Sequence, residues 1–356
     1  MPWPEPATQL PTLPLLDQRG RPLRDLRISV TDRCNFRCSY CMPREAFGPD
    51  HTFLPQSALL NFEEIQRVAS IFATLGVRKL RLTGGEPLLR RNIDELIHLL
   101  REVRTPDGQP LELALTTNGV LLARMARRLR DAGLNRVTVS LDALDPTLFQ
   151  QMADVDTDVN QVLQGIDEAL ALGLAPLKVN MVVRQGVNES QILPMVRHFK
   201  DRPVELRFIE YMDVGQTNQW RLDEVLPWQS IHALIHAHHP LMPLEPREPG
   251  ETARRWRHAH AQGHIGFIAS VTQAFCGECT RLRLSTEGRL YTCLFAERGA
   301  DVRALLRDAG MGNDQIAARV AALWQLRSDR YSELRRQPAP TEAPARQRIE
   351  MSYIGG

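Results

Sequence analysis

The amino-acid sequence predicts an α/β fold: a partial barrel of six parallel strands, followed by a C-terminal region of antiparallel strands and helices. Six short apolar segments alternate with helical segments between residues 27 and 210. This alternation is typical of a parallel sheet with right-handed crossovers. Six units are fewer than the eight of a closed barrel, and after about residue 215 the alternation stops. We therefore expect an incomplete barrel that carries a second region.

The helices between the strands show recognisable ends. The first begins after Asn61, a predicted N-cap with Glu64 three residues later, and closes at Gly76. Two further helices end at Gly133 and Gly173, where a C-cap favours glycine. The predicted strands are residues 27–30, 79–82, 111–116, 136–141, 177–183 and 204–209.

The later part of the chain has a different pattern. Short strands that look antiparallel are predicted at 263–270, 280–285 and 288–295, with a turn at 286–288, and helices at 301–309 and 313–334. The sequence "HALIHAHH" (232–239) is more typical of a solvated helix face than of a metal site. The predicted division is a Pro-rich and loosely tethered extension (1–24), the partial barrel (25–215), a C-terminal region (216–335) and a linker with a Gly-Gly tail (336–356).

Composition limits the classes of function. The 356 residues include 44 basic and 42 acidic ones, so a protein that coats nucleic acid is not expected. No apolar run approaches the roughly 18 residues that span a bilayer, and the start lacks the pattern of a secretion signal. We therefore expect a cytoplasmic protein whose cysteines stay reduced.

Six cysteines fall into two groups of three. Cys34, Cys38 and Cys41 have the spacing C-x3-C-x2-C after the first strand. Three thiols leave one corner of a 4Fe–4S cluster open to a small molecule, since such clusters usually have four cysteine ligands. Buried structural cysteines and a zinc site are the alternatives, but zinc favours four ligands and His51 is ten residues away.

The second group, Cys276, Cys279 and Cys293, is also a triple. A C-x2-C pair near a hairpin alone suggests a zinc ribbon. The recurrence of an incomplete set favours two open clusters that face each other. "TGGEP" (83–87), "TTNG" (116–119), "SLD" (140–142) and "EYM" (210–212) follow or end other strands, so we expect the chemistry at the carboxyl edge of the sheet.

"CNFRCSYC" followed by "TGGEP" resembles the radical S-adenosylmethionine superfamily. The resemblance implies that the first triple holds a 4Fe–4S cluster whose open iron binds S-adenosylmethionine, which an electron cleaves to a deoxyadenosyl radical. It also implies that Gly84, Gly85 and Glu86 contact the methionyl amino group.

"RISVTDRCNFRCSYCMP", "LRLTGGEPLLR", "FCGECTRLRLS", the third late cysteine and the terminal "GG" together are similar to the GTP 3′,8-cyclase family of molybdenum cofactor biosynthesis. This resemblance covers about residues 25–356 and implies that the second cluster binds guanine. It implies further S-adenosylmethionine contacts at Tyr40, Ser140 and Met212. The implied GTP contacts are Arg27, Arg81, Thr116, Lys178, Arg281, Leu282 and Arg283.

The family's reaction implies further roles and partners. The radical takes the 3′ hydrogen of GTP, and the ribose then attacks carbon 8 of guanine. Arg281, Arg283 and an inserted tail of Gly355 and Gly356 are implied to be catalytic. An electron donor and hand-off to cyclic pyranopterin monophosphate synthase are implied partners, and the sequence leaves a homodimer open. The alternatives are a radical enzyme that modifies peptides and a zinc- or cluster-bearing binding module.

Overall fold

The computed structural model describes residues 1–6, 12–248, 250–335 and 348–355. In these residues twelve strands form one continuous sheet with the order β12-β11-β10-β1-β2-β3-β4-β5-β6-β9-β8-β7. The strands are β1 Asp25–Ser29, β2 Lys79–Thr83, β3 Glu112–Thr117, β4 Arg136–Ser140, β5 Leu177–Val183, β6 Val204–Glu210, β7 Leu241–Leu244, β8 Arg254–His258, β9 His264–Ile268, β10 Arg281–Leu284, β11 Arg289–Tyr291 and β12 Ala300–Asp301.

Helices follow the strands as the alternation predicts. They are α1 Phe62–Thr74, α2 Ile93–Arg101, α3 Leu122–Ala132, α4 Pro146–Ala153, α5 Val159–Ala171, α6 Ile192–Phe199, α7 Trp228–His238, α8 Val302–Arg307, α9 Asn313–Gln325, α10 Tyr331–Leu334 and α11 Met351–Ile354. The apolar faces of α1, α2, α3, α5 and α6 pack on one face of the sheet, where Leu26 and Leu80 are fully buried with Phe72. None of the helices in the described residues is long and apolar enough to cross a membrane.

The predicted helix ends of the first half are confirmed. The side chain of Asn61 accepts from the Glu64 amide at 2.7 Å, and the Glu64 carboxylate accepts from the Asn61 amide at 2.9 Å. This reciprocal pair is the capping box that the sequence predicts. Gly133 ends α3 with a positive φ of 116°.

The six strands from β1 to β6 pair in parallel as predicted. The expectation that the late strands form a purely antiparallel region was wrong at two pairings. β10 pairs in parallel with β1, and β9 pairs in parallel with β6. Antiparallel pairing is confined to β10–β11–β12 and β9–β8–β7. The C-terminal region therefore adds three strands to each edge of the six-stranded sheet, and only the innermost of each three pairs in parallel.

Two other expectations differ from the structure. The predicted helix 313–334 is interrupted between Gln325 and Tyr331, because the backbone turns there to bring Arg327 into the interior. The extension 1–24 is not loose throughout, because Leu15 and Leu23 are each only 1% exposed. Residues 336–346 of the predicted linker lie outside the described residues.

Candidate active site

A cavity of about 850 Å³ runs along the parallel strands, from Asp25 and Lys79 at their amino ends to the cysteine loop that follows β1. All six cysteines line this cavity, and all six are free thiols. The first triple follows β1, and the second triple flanks β10, which pairs with β1. Because β10 is parallel to β1, Cys276 and Cys279 lie near the amino ends of the strands, and the two triples line one cavity from opposite ends. The volume is within the range of cofactor and ligand sites.

The "TGGEP" segment packs against the backbone of the first cysteine loop. The Gly85 amide donates to the Thr31 carbonyl, and the Glu86 amide donates to the Arg33 carbonyl, both at 2.8 Å. A Cβ atom on Gly85 would lie 2.6 Å from the carbonyl carbon of Arg33 and closer still to its oxygen. The two glycines therefore allow the cysteine loop to approach the strand end.

Glu86 is buried, and its carboxylate accepts three hydrogen bonds. The donors are the Leu88 amide at 2.9 Å, the Thr117 hydroxyl at 2.8 Å and the Asn118 amide at 2.7 Å. Burial raises the pKa of Glu86 to about 7, although these hydrogen bonds oppose the shift. In this structure Glu86 ties the end of β2 to the end of β3, and its contact with a methionyl amino group stays a prediction.

Tyr40, another predicted S-adenosylmethionine contact, is held by a residue that the sequence analysis assigned only to a strand end. Its hydroxyl donates to Asp142 Oδ2 at 2.6 Å, and Asp142 Oδ1 accepts from the Val182 amide at 2.8 Å. Burial raises the pKa of Asp142 to about 6. Ser140 and Met212 line the same cavity. Their roles toward the cofactor stay predictions.

The two cysteine triples differ in electrostatic environment. Burial raises the pKa of the Cys34 thiol to about 12, and it also raises the pKa values of Cys38 and Cys41. Burial opposes ionisation of Cys279 as well, but the nearby Arg281 and Arg327 outweigh it and lower that pKa to about 6. Burial also raises the pKa of the Cys293 thiol in the second triple to about 11, so the thiolate is favoured at Cys279 rather than across that triple.

Two rows of charge cross the wall between the triples. In one row Arg281, Asp25, Lys79 and Glu112 lie in register on four neighbouring strands, so that the signs alternate. The Lys79 ammonium lies 3.5 Å from the Asp25 carboxylate. The positive and negative charges of this row therefore compensate one another.

The second row is cationic. Arg283, Arg27 and Arg81 lie in register on β10, β1 and β2 and line the cavity. Burial lowers the pKa of Arg27 well below its ordinary range, and the neighbouring Arg283 lowers it further. Burial likewise lowers the pKa of Arg81 to about 10 and that of Arg283 to about 9. Three guanidinium groups side by side, one buried and two half-buried, are suited to a polyanion.

Arg81 also contacts two threonines on the next strands, Thr116 on β3 and Thr138 on β4. Arg81 donates to their hydroxyls at 3.0 Å and 3.1 Å. Further along, Lys178 on β5 is 6% exposed, and burial, reinforced by Arg207, lowers its pKa to about 6. Thr116 and Lys178 thus lie on the cavity wall, and their roles toward a substrate stay predictions.

Arg207 on β6 is a cavity residue that the sequence analysis missed. It is 9% exposed and bonds to Glu205, which also faces Arg255 at 3.3 Å. The signal was available, because "VELRFI" contains two opposite charges two residues apart in an apolar strand. Asn180 on β5 was also missed, and its buried Oδ1 has no hydrogen-bond partner among the described residues although it lines the cavity. It is a free acceptor for a ligand hydroxyl or amino group.

The predicted substrate contact at Leu282 stays a prediction and could involve only its backbone. Its side chain is fully buried in the core, because it alternates with Arg281 and Arg283 and points to the opposite face of the sheet.

The tail returns to the cavity. Arg283 Nη1 donates to the carbonyl of Gly355, and the Gly355 Cα packs against Thr83, where a Cβ atom would clash. Upstream, Arg348 donates to Asp213 Oδ2 at 2.9 Å, and Met351 and Ser352 line the cavity. Gly356 lies outside the described residues.

The residues at the first triple fit an iron–sulfur cluster. In the described residues no three His, Cys, Asp or Glu side chains are placed to hold a single metal ion. The three thiols instead line one wall, and a 4Fe–4S cluster takes one ligand at each of separate iron corners. The free Asn180 oxygen and the open cavity beside them leave room for a cofactor on the remaining corner.

Comparison with known proteins agrees with this arrangement. The family model "Radical SAM superfamily" matches residues 28–199, and "Molybdenum Cofactor Synthesis C" matches residues 204–333. The first superfamily is defined by S-adenosylmethionine and a 4Fe–4S cluster, which this chain therefore uses.

Relatives of nearly the same length are known. The GTP 3′,8-cyclase of Acidothermus cellulolyticus is 51% identical, with 97% of this chain and 100% of that protein covered. The GTP 3′,8-cyclase of Staphylococcus aureus is 48% identical, with 96% and 98% covered. Among solved structures, Streptococcus suis SuiB bound to S-adenosylmethionine has a TM-score of 0.58 at 14% identity, over 81% of this chain and 64% of SuiB, which is a likeness of fold alone. By its full-length identity to these curated relatives, this chain belongs to the GTP 3′,8-cyclase family of radical S-adenosylmethionine enzymes.

Proposed function

We propose that the protein converts GTP to 3′,8-cyclo-7,8-dihydro-GTP, the first step of molybdenum cofactor biosynthesis, with two 4Fe–4S clusters and S-adenosylmethionine. The observation that carries this proposal is the single cavity with a cysteine triple on each side and an uncompensated cationic row between them. A nucleoside triphosphate fits this arrangement of cysteines and cations, because its base and its phosphates need different binding partners. The curated relatives named GTP 3′,8-cyclase support the choice of GTP.

S-adenosylmethionine on the first cluster supplies, when bound, an organic radical that removes hydrogen from carbon. The chain's own residues then have two tasks, orientation and exclusion of water. Arg283, Arg27 and Arg81 hold the triphosphate so that the ribose lies between the two triples. Glu86 and the glycines before it fix the first cysteine loop, and Tyr40 is locked by Asp142. Held in this way, the reacting carbon stays next to its partner and away from solvent.

The second triple, with Cys276, Cys279 and Cys293, is proposed to hold the auxiliary cluster that binds guanine. Its thiols line the cavity opposite the first triple, and Arg281 and Arg327 favour the thiolate of Cys279. Arg281, Arg283, Gly355 and Gly356 are proposed to act in cyclisation. The same proposal includes an external one-electron donor, hand-off of the product to cyclic pyranopterin monophosphate synthase, and work in the cytoplasm.

Anaerobic reconstitution tests the proposal. The protein is supplied with dithionite, S-adenosylmethionine and either GTP or ATP, and deoxyadenosine and nucleotide products are measured. We expect a cyclised product from GTP only. Replacement of the second triple by Ala should leave about four of about eight irons and stop cyclisation, with some uncoupled deoxyadenosine. Turnover of a peptide without turnover of GTP would disprove the proposed substrate.

A further inference from the structure

The Pro-rich beginning of the chain folds into a hairpin with one buried face. Leu15 and Leu23 pair through an amide-to-carbonyl bond of 3.0 Å, and Gly20 turns the chain between them with a φ of 72°. The turn is closed by the Asp17 amide, which donates to the Arg21 carbonyl at 3.1 Å. This ordered hairpin has no role in the function proposed above.

The hairpin carries a charge network that is hidden from solvent. The Asp17 carboxylate accepts from Arg21 Nε at 2.6 Å and from Arg327 Nη1 at 3.3 Å. The side chains of both arginines are 1% exposed, and that of Asp17 is 0% exposed. Trp324 lies beneath Arg327, with its ring centroid 4.5 Å from the guanidinium carbon, and donates to the Arg21 carbonyl.

The outward donors of the two arginines end on the second cysteine loop. Arg21 Nη1 donates to the Cys276 carbonyl at 2.7 Å and to the Asp329 carbonyl at 2.8 Å. Arg327 Nη1 donates to the Cys279 carbonyl at 2.7 Å. The short turn between the two cysteines is therefore held at both ends by buried guanidinium groups.

Stability alone does not explain these residues. Burial of an ion pair costs several kcal/mol of desolvation, and apolar side chains often give the same packing at lower cost. Arg21 also leaves a buried Nη2 without a hydrogen-bond partner among the described residues. Asp17 and Asp329 balance the two guanidinium charges, since Asp329 lies 3.5 Å from Arg327. What an apolar cluster cannot supply is direction, namely donors aimed at two chosen carbonyls.

We propose that Asp17, Arg21 and Arg327 are positioning residues that set the geometry of the Cys276–Cys279 turn and thereby the second iron–sulfur cluster. This inference rests on the proposed function, because it takes the second triple to be a cluster site. It gives the N-terminal hairpin a function that the composition of residues 1–24 did not suggest.

The test isolates the second cluster. In a background in which Cys34, Cys38 and Cys41 are Ala, we compare Arg21→Met and Arg327→Met with Arg19→Met as the matched control. Arg19 is on the same hairpin but pairs with Glu333 at the surface. Iron per chain, the electron paramagnetic resonance spectrum of the reduced cluster, its midpoint potential and the melting temperature are measured.

We expect about four irons and an unchanged spectrum for Arg19→Met. Arg21→Met and Arg327→Met should retain less than half of that iron and show shifted g values and a shifted potential. Arg21→Lys should restore iron only in part, because an ammonium group lacks the planar fork that bonds two carbonyls at once. If the Met variants do not fold, Asp17→Asn replaces them in the comparison, because it keeps the shape of the side chain.

Three outcomes are distinct. Iron, spectrum and potential equal to those of Arg19→Met would overturn the inference. A lower melting temperature with an unchanged spectrum would also overturn it, since the network would then support only the fold. If the background protein with intact Arg21 binds no iron, the proposed second cluster itself fails.

Discussion

Replacement of Gly85 by Ala tests whether close packing of two loops creates the first cluster site. The added Cβ would lie 2.6 Å from the carbonyl carbon of Arg33, so the cysteine loop would have to retreat by at least about 0.4 Å to reach the 3.0 Å limit of real contacts. Overpacking of this kind costs about 1–3 kcal/mol. Strain on the amide bonds to Thr31 and Arg33 adds about 1 kcal/mol. A local cost of about 2–4 kcal/mol corresponds to a roughly 30- to 1,000-fold decrease in the population of the loop conformation that can bind the first cluster.

The assay is iron content and deoxyadenosine formation after anaerobic reconstitution. For Gly85→Ala we expect iron to fall from about eight to about four per chain and S-adenosylmethionine cleavage to be lost. The melting temperature should fall by only a few degrees, because the contact is local. Gly277→Ala is the matched control in the second cysteine loop, where a Cβ would meet only a Glu333 oxygen at 3.9 Å. Full iron and normal cleavage in Gly85→Ala would refute the reasoning.

The remaining predictions concern the cationic row, a buried lysine and the tail. Arg283→Ala should weaken GTP binding by about 1.5–3 kcal/mol and leave guanosine binding unchanged. Arg281→Ala should weaken GTP binding less, because Asp25 compensates the charge of Arg281. Equilibrium binding measures both effects, and an equal loss of guanosine binding would point to a role in the fold. Lys178, with its pKa of about 6, is neutral above pH 6 without ligand, so triphosphate binding between pH 7 and 8 should take up a proton that is not taken up below pH 6. Calorimetry in buffers of different ionisation enthalpy should show this uptake lost in Lys178→Met, and unchanged uptake would exclude Lys178 as its source. Deletion of residues 355–356 should leave both clusters and S-adenosylmethionine cleavage intact but stop cyclisation. A peptide ending in Gly-Gly should partly restore cyclisation. Normal product from the shortened chain would contradict a role of the tail in cyclisation.

Local patterns were enough to predict the parallel half of the fold. Asn61 and Glu64 define a helix start by themselves, and each of the six strands carries apolar residues that point into the core. Partner choice is different, because the four residues of β10 alternate in the same way whether the neighbouring strand is parallel or antiparallel. Nothing within "RLRL" indicates that it lies beside β1, so that pairing was not predicted.

The candidate site was predictable where chemistry repeats in the sequence. The two cysteine triples and the strand-end motifs were found because their residue types are rare in those positions. Asp17 and Arg21 were not, since their partners Arg327 and Cys276 lie about 300 and 255 residues away in the chain. Arg207 could have been found in the sixth strand, because a cation within an apolar strand is costly unless it is paired.

The addition of β9 and β10 to the two edges of the sheet has a consequence for synthesis of the protein. When the ribosome has made the first six strands, β1 and β6 each still lack an outer neighbour, because their partners begin only at His264 and Arg281. A nascent chain at that stage exposes two rows of unpaired backbone groups, which are sites for aggregation. The six-stranded barrel therefore cannot complete its backbone pairing when only its own residues have been translated. A fragment that ends near residue 215 should aggregate unless residues 264–284 are supplied in trans.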